Sequence, residues 1–181
     1  MDATRELHNE QGIDATSWDD IARRAGVGVG TDYRHFPTLD ELVPACGQVA
    51  LGVIAMPEPN ATPALFQGAD DASERMRRLV TEVFAMYERG AADLQTALRD
   101  ADVHPMVRQA ASDLDAALAA LVAAALEPLD ADDADRSVAR AMIDLGTWRA
   151  LRDQGLGADE AVAAVAEMLA RRMAGDRARS Y

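Results

Sequence analysis

The sequence predicts an all-α protein, and three observations support this fold class. The composition is rich in alanine, leucine, arginine and glutamate, whereas aromatic residues make up only 4% of the chain. Apolar residues recur at helical spacing, and no segment shows the alternation typical of a strand. Glycine, proline and helix-capping residues divide the chain into seven or eight segments of helical length.

Two short helices are predicted at the N-terminus, over residues 2–11 and 17–25. Gly12 ends the first helix. Ser17 can cap the second, and Asp20 three residues later completes a capping box. Gly26 then ends the second helix, because glycine is the residue most easily placed in a left-handed C-terminal cap.

A third short helix, from Val29 to His35, is predicted to stop before Pro37. Thr38 then caps a longer helix from Leu39 towards Met56. Because proline cannot donate a main-chain hydrogen bond, Pro44 predicts a kink or a late start in this helix.

The segment 57–71 contains three prolines and one glycine and is the best linker candidate. Helices are predicted after it over residues 72–89, 91–101 and 105–126, and the first and third of them have an apolar face. The acidic run 130–135 predicts a solvated turn.

The last two predicted helices cover residues 134–154 and 158–173. Apolar residues surround more than one face of the first of them, which fits one face for its own core and another for a partner subunit; a helix buried wholly within one subunit is the alternative.

Residues 16–42, TSWDDIARRAGVGVGTDYRHFPTLDEL, closely resemble the helix-turn-helix motif of the TetR family of transcriptional regulators. The resemblance rests on the capped DDIARRAG helix, the Gly26–Val27 turn, Tyr33, and His35–Phe36 followed by a second capped helix. It implies an N-terminal three-helix helix-turn-helix domain over residues 1–45. It also implies a helical effector-binding and dimerisation domain over residues 46–181.

The resemblance also implies which side chains contact DNA. Small residues at the start of the recognition helix allow close approach to phosphate, and polar side chains along it can bond phosphates or base edges. Arg34 is added because it carries the only full positive charge on this helix. The predicted DNA contacts are Ser17, Gly28, Thr31, Tyr33, Arg34 and His35. Packing of a helical corner is the alternative role for these residues.

Three positions depart from the family pattern: His8 stands where phenylalanine is common, Asp32 replaces an apolar residue, and Leu39 replaces a lysine that often touches phosphate. Residues 1–45 hold nine carboxylates against four arginines, a net charge of −5, and the whole chain carries −13 with no lysine. Bulk electrostatics therefore oppose binding to DNA. We expect either that the affinity of the predicted reader is low or that the true start of the protein lies upstream of Met1.

The family implies a homodimer through helices 134–154 and 158–173, which would place two recognition helices in successive major grooves about 34–36 Å apart. It also implies a pocket for a small-molecule effector among the helices of the body. The candidate lining residues are Phe84, Met86, Tyr87, Met142 and Trp148, for which a purely structural role in the core is the common alternative. Nearby polar candidates for an anionic ligand group are Arg99, His104, Arg108 and Arg149.

No apolar stretch of about 18 residues suggests a membrane span. The single cysteine, Cys46, excludes an internal disulfide and favours a cytoplasmic protein. Three scattered histidines offer no metal-ligand spacing, and no nucleotide-binding or nucleophile motif occurs, so neither a cofactor nor an enzyme is expected. The function predicted is a ligand-responsive repressor that binds a palindromic operator. A helical dimer with weakened DNA binding that acts through protein contacts is the alternative.

Overall fold

The computed structural model describes residues 1–28, 36–55 and 62–175, apart from the side chains of Leu39 and Asp40. These ranges contain only helices and their connections, which confirms the all-α fold class. The helices, in chain order, are α1 Asp2–Gln11, α2 Trp18–Ala25, α3 Leu39–Ile54, α4 Thr62–Leu65, α5 Ala72–Asp100, α6 Pro105–Leu126, the 3₁₀ turn Glu127–Leu129, α7 Asp133–Met142, α8 Leu145–Asp153 and α9 Ala158–Gly175.

Several helix ends lie where the local sequence predicts them. The Ser17–Asp20 capping box begins α2, and Gly26 ends it in the left-handed conformation at φ 69°. Thr38 caps α3, which begins at Leu39 and continues through Pro44, so the predicted late start is wrong. The predicted recognition helix, Val29 to His35, lies outside the described residues.

Two other predictions need correction. Part of the predicted linker is the short helix α4, and Phe66 and Ala69 after it are buried. The predicted continuous helix 134–154 is two helices, α7 and α8, because Asp144 accepts a hydrogen bond from the Gly146 N–H and starts a new helix. In contrast, the predicted break after Arg89 is present, since Gly90 has non-helical torsions (φ −132°, ψ 18°) within α5.

The chain divides into two compact units. Unit 1 comprises residues 1–55 and 90–113, and unit 2 comprises residues 56–89 and 114–181. Compactness and function are different criteria, so the domain boundary after residue 45 stays a prediction. The first segment of α5 and the main part of α6 belong to unit 2, where their buried residues include Met76, Leu79, Val83, Leu121 and Val122.

The segment Pro105–Leu129 is long and apolar enough to cross a membrane, with a mean hydropathy of 1.4. This segment differs from the expectation that no apolar stretch in the sequence is long enough to span a membrane. Core helices of soluble proteins pass the same test, so length and composition alone do not assign it to a membrane.

Candidate nucleic-acid interface

A small apolar core fixes the first helices of unit 1. Leu7 of α1, Ile21 of α2 and Leu42 and Cys46 of α3 are buried together, and Trp18 and Phe36 pack against them. Three helices of this length have too few apolar residues for a large core, so each buried side chain carries a substantial share of the packing. This core holds α2 in place immediately before the predicted DNA-reading segment.

The Ser17 side chain is engaged in helix capping. Its Oγ accepts a hydrogen bond from the Asp20 N–H at 3.2 Å and donates one to Asp20 Oδ2 at 2.5 Å. The bonds from Ser17 are the main reason why the pKa of Asp20 lies below its usual value. To donate to a DNA phosphate, the Ser17 hydroxyl must therefore first break its hydrogen bond to Asp20. The phosphate contact of Ser17 stays a prediction.

The turn after α2 has the geometry expected for close approach to a partner. Gly26 adopts the left-handed conformation, and a side chain at Gly28 would meet nothing within 4 Å. Both glycines are exposed. The remaining predicted contacts, Thr31, Tyr33, Arg34 and His35, lie outside the described residues.

Every arginine in the described part of residues 1–55 lies against a carboxylate. Arg5 Nη1 is 2.9 Å from Asp93 Oδ2, and Arg23 Nη1 is 3.1 Å from Asp20 Oδ1. Arg24 contacts two glutamates of α1. The described surface of this module therefore offers DNA no guanidinium that is not already paired.

Sequence reasoning missed the contacts that tie α1 to the second segment of α5. Asp93, only 8% exposed, accepts hydrogen bonds from Arg5 and from Asn9 Nδ2, the latter at 3.0 Å. Asp100 Oδ2 accepts a bond from the Ile13 N–H at 2.9 Å. These partners are 84 to 88 positions apart in sequence, so no local pattern predicts them.

His8, which replaces a common phenylalanine, is buried at 5% exposure in unit 1. Burial is the main reason why its pKa lies below 6.5, and Asp100 opposes this shift. Arg99 donates to the His8 carbonyl at 2.8 Å. His8 therefore takes the place of an aromatic core residue but adds a titratable group to the core.

Four of the five candidate effector-binding residues are buried in unit 2: Phe84, Met86, Tyr87 and Trp148. The Tyr87 ring centroid lies 6.2 Å from that of Phe84 and 5.9 Å from that of Trp148. Tyr87 donates to the Ile143 carbonyl at 2.9 Å, and Trp148 Nε1 donates to Glu88 at 3.2 Å. The structure thus brings three of the candidates into one aromatic cluster. The fifth candidate, Met142, is the last residue of α7 and is partly exposed.

A separate open cleft of about 880 Å³ lies on unit 2, between α6, α7 and the start of α8. Its apolar lining includes Ala119, Val122 and Ala123, and its polar lining includes Arg140 and Thr147. None of the five candidate residues lines it. Of the four polar candidates, Arg99, His104 and Arg108 belong to unit 1 and only Arg149 to unit 2. Among the residues that the structure describes, no group of three potential metal ligands occurs.

The comparisons with known proteins agree with this architecture. Residues 1–46 match the family described as "Bacterial regulatory proteins, tetR family". The fold is similar to that of the TetR family transcriptional regulator PfmR from Thermus thermophilus, with a TM-score of 0.65 and 22% sequence identity over 93% of this chain and 95% of that chain. No curated protein matches the chain.

Proposed function

We propose that this chain, a TetR family transcriptional regulator by its N-terminal module and its fold, binds a two-fold symmetric DNA operator as a cytoplasmic homodimer and releases it when a small-molecule effector binds to unit 2. The observation that carries the proposal is the family match over residues 1–46, whose α2 has the expected cap and left-handed Gly26 turn. A repressor acting by occlusion of a promoter is the simplest mode for such a protein.

DNA binding is tested by selecting operators from a pool of randomised duplexes with the full-length chain. Fluorescence anisotropy on the selected duplex should give saturable binding, and a scrambled duplex should bind much more weakly. Arg34→Ala or Tyr33→Ala should weaken operator binding by at least about 30-fold while the dimer persists, as expected for loss of a contact of about 1–3 kcal/mol in each of the two subunits. Unchanged affinity in both variants would remove these residues from the interface.

Dimerisation through α7, α8 and α9 is supported by Met168 of α9, whose side chain is apolar yet 50% exposed in the single chain. An arginine there would place an unpaired charge in the proposed interface. Met168→Arg should shift the sedimentation coefficient to that of a monomer. Met106→Arg is the matched control, because Met106 is 59% exposed but belongs to unit 1. Equal behaviour of both variants would place the interface elsewhere.

The aromatic cluster around Tyr87 is the proposed effector site, and the open cleft is the competing location. A Trp18→Phe background leaves Trp148 as the only tryptophan, so its emission reports on the cluster. With 8-anilinonaphthalene-1-sulfonate as an aromatic anionic probe, Trp148 emission should be quenched. Ala119→Leu, which adds bulk to the cleft lining, should not alter the quenching. Loss of probe binding in Ala119→Leu would move the site to the cleft.

One observation favours the second candidate function, a dimer with weakened DNA binding that acts through protein contacts. The described arginines of the reader are all paired and residues 1–45 carry a net charge of −5. Selection that enriches no duplex, even at low salt, would favour this second function over the repressor.

A further inference from the structure

We infer that Glu6 and Glu10 of α1 hold Arg24 of α2 away from DNA phosphate, and that this Arg24 clamp keeps non-specific binding weak. The clamp is defined as Arg24 together with Glu6 and Glu10. The inference rests on the proposed DNA-binding function and names a determinant of specificity within it.

The contacts of the clamp satisfy most of the guanidinium. Arg24 Nη1 and Nη2 donate to the two carboxylate oxygens of Glu10 at 2.9 and 2.6 Å. Nη1 also donates to Glu6 Oε2 at 3.2 Å. A two-point pairing of this kind is the geometry in which arginine also binds phosphate, so the clamp and a phosphate compete for the same donors.

The position of Arg24 makes that competition relevant to DNA. It lies in the last turn of α2, four residues before Gly28. In helix-turn-helix proteins the first helix of the motif crosses the DNA backbone when the second enters the groove. An arginine on this helix is therefore close to phosphates in a complex, unless other groups hold it.

The clamp persists at physiological pH but remains exchangeable. The hydrogen bonds from Arg24 are the main reason why the pKa of Glu10 is lowered, so this glutamate stays ionised near neutrality. Both glutamates are more than half exposed, and exposed ion pairs contribute little to stability. Breaking the clamp by mutation should therefore leave the fold intact.

If Arg24 leaves the clamp in the natural protein, two carboxylates remain next to a polyanion. This repulsion offsets the gain from a new phosphate contact. Because phosphate contacts are the same for every sequence, withholding one lowers non-specific binding more than it lowers discrimination between sequences.

A double-mutant cycle tests the inference by combining the paired substitutions Glu6→Gln and Glu10→Gln with Arg24→Gln. Affinity for a selected and a scrambled duplex is measured by anisotropy across a salt titration. Releasing Arg24 should tighten binding to both duplexes by roughly tenfold at low salt and steepen the salt slope by about 0.9 per subunit. In the natural background Arg24→Gln should weaken binding to both duplexes, because it leaves Glu6 and Glu10 uncompensated. In the background where both glutamates are neutralised, it should abolish the gain. Glu41→Gln is the control for net charge, since it removes one carboxylate of the same module outside the clamp, and its effect is compared with the gain per charge from Glu6 and Glu10.

The outcomes separate the clamp from the wider function. A gain that survives Arg24→Gln, or that a single neutralisation at Glu41 reproduces with the same slope, would overturn the clamp, because net charge alone would explain it. If the natural protein discriminates between the two duplexes and the variants bind them with unchanged affinity, the clamp is overturned and the proposed repressor function is retained. A gain on both duplexes without discrimination in any variant would support the clamp and refute the repressor. No binding by any variant would refute both, and thermal melts of each variant check the fold.

Discussion

Replacing Arg75 should destabilise unit 2 more than any substitution of an exposed arginine. Arg75 is only 7% exposed, and its hydrogen-bond acceptors are main-chain carbonyls. Nε donates to Ala125 at 2.7 Å and Nη2 to Ala124 at 2.6 Å. Nη1 donates to Ala69 at 2.9 Å and to Phe66 at 3.4 Å.

The location of these carbonyls sets the magnitude. Ala124 and Ala125 lie in the last turn of α6, where carbonyls have no partner within the helix and the helix dipole favours a cation. Three short bonds from a charged donor, at about 1.5 kcal/mol each and not fully additive, give a loss of about 3–5 kcal/mol for Arg75→Met. For a chain of this size that loss corresponds to a midpoint lower by about 10 °C.

Urea denaturation followed by Trp148 emission in a Trp18→Phe background measures the loss in unit 2. Arg75→Lys should recover only part of it, because an ammonium cannot reproduce the planar fork of donors. Arg77→Ala, on the same helix but exposed, is the control and should leave the midpoint unchanged. An unfolding free energy for Arg75→Met within about 1 kcal/mol of the natural protein would refute the capping argument.

Three further changes test other parts of the structure. Gly90→Ala should destabilise the protein by about 1–3 kcal/mol, because its Cβ would lie 2.5 Å from Ile54 Cγ1. Gly52→Ala, with open space around it, should instead stabilise α3. Equal shifts in the melting temperatures of the two variants would contradict this. Tyr87→Phe should lower the free energy of unfolding in urea by about 1–3 kcal/mol, because it leaves the buried Ile143 carbonyl without its donor. An unchanged free energy of unfolding would show that this hydrogen bond makes no net contribution to stability. Because burial lowers the pKa of His8 below 6.5, the unfolded state binds its proton more readily, so the contribution of His8 to stability should be fully present above pH 6.5 and fall as the pH drops below it. His8→Leu should reduce that pH dependence, and an unchanged profile would exclude His8 as its source.

The features that were predicted from sequence are encoded within a few residues. Ser17 and Asp20 form their capping box three residues apart, and Gly26 needs only its own torsions to end α2. Gly90 interrupts α5 by the same local logic. The family pattern of residues 16–42 then adds fold and function that no single helix signal contains.

The features that were missed depend on partners far along the chain or on competition between local signals. In the sequence, nothing distinguishes Arg75 from the other arginines of an amphipathic helix, because an acceptor of its side chain lies 50 residues away. Asp144 can cap a new helix, but the apolar pattern across it also suits one continuous helix, and only the packed structure decides. The candidate residues around Tyr87 were found by composition, whereas the lining of the open cleft includes three alanines and gives no distinctive pattern in the sequence.

The composition of unit 1 leads to a last prediction about the DNA-reading helices. α1 is held by Asp93 and Thr96 of α5, and Asp100 holds Ile13 just after α1, in addition to the small core that α1 shares with α2 and α3. A chain of 55 residues buries too little apolar surface to be more than marginally stable. In the fragment 1–55, Arg5 of α1 would also lose its partner Asp93. A fragment of residues 1–55 should therefore show little helical signal and no cooperative melt by circular dichroism, whereas the full chain melts cooperatively. A sharp transition in the fragment would show that residues 90–113 are dispensable for the fold of residues 1–55.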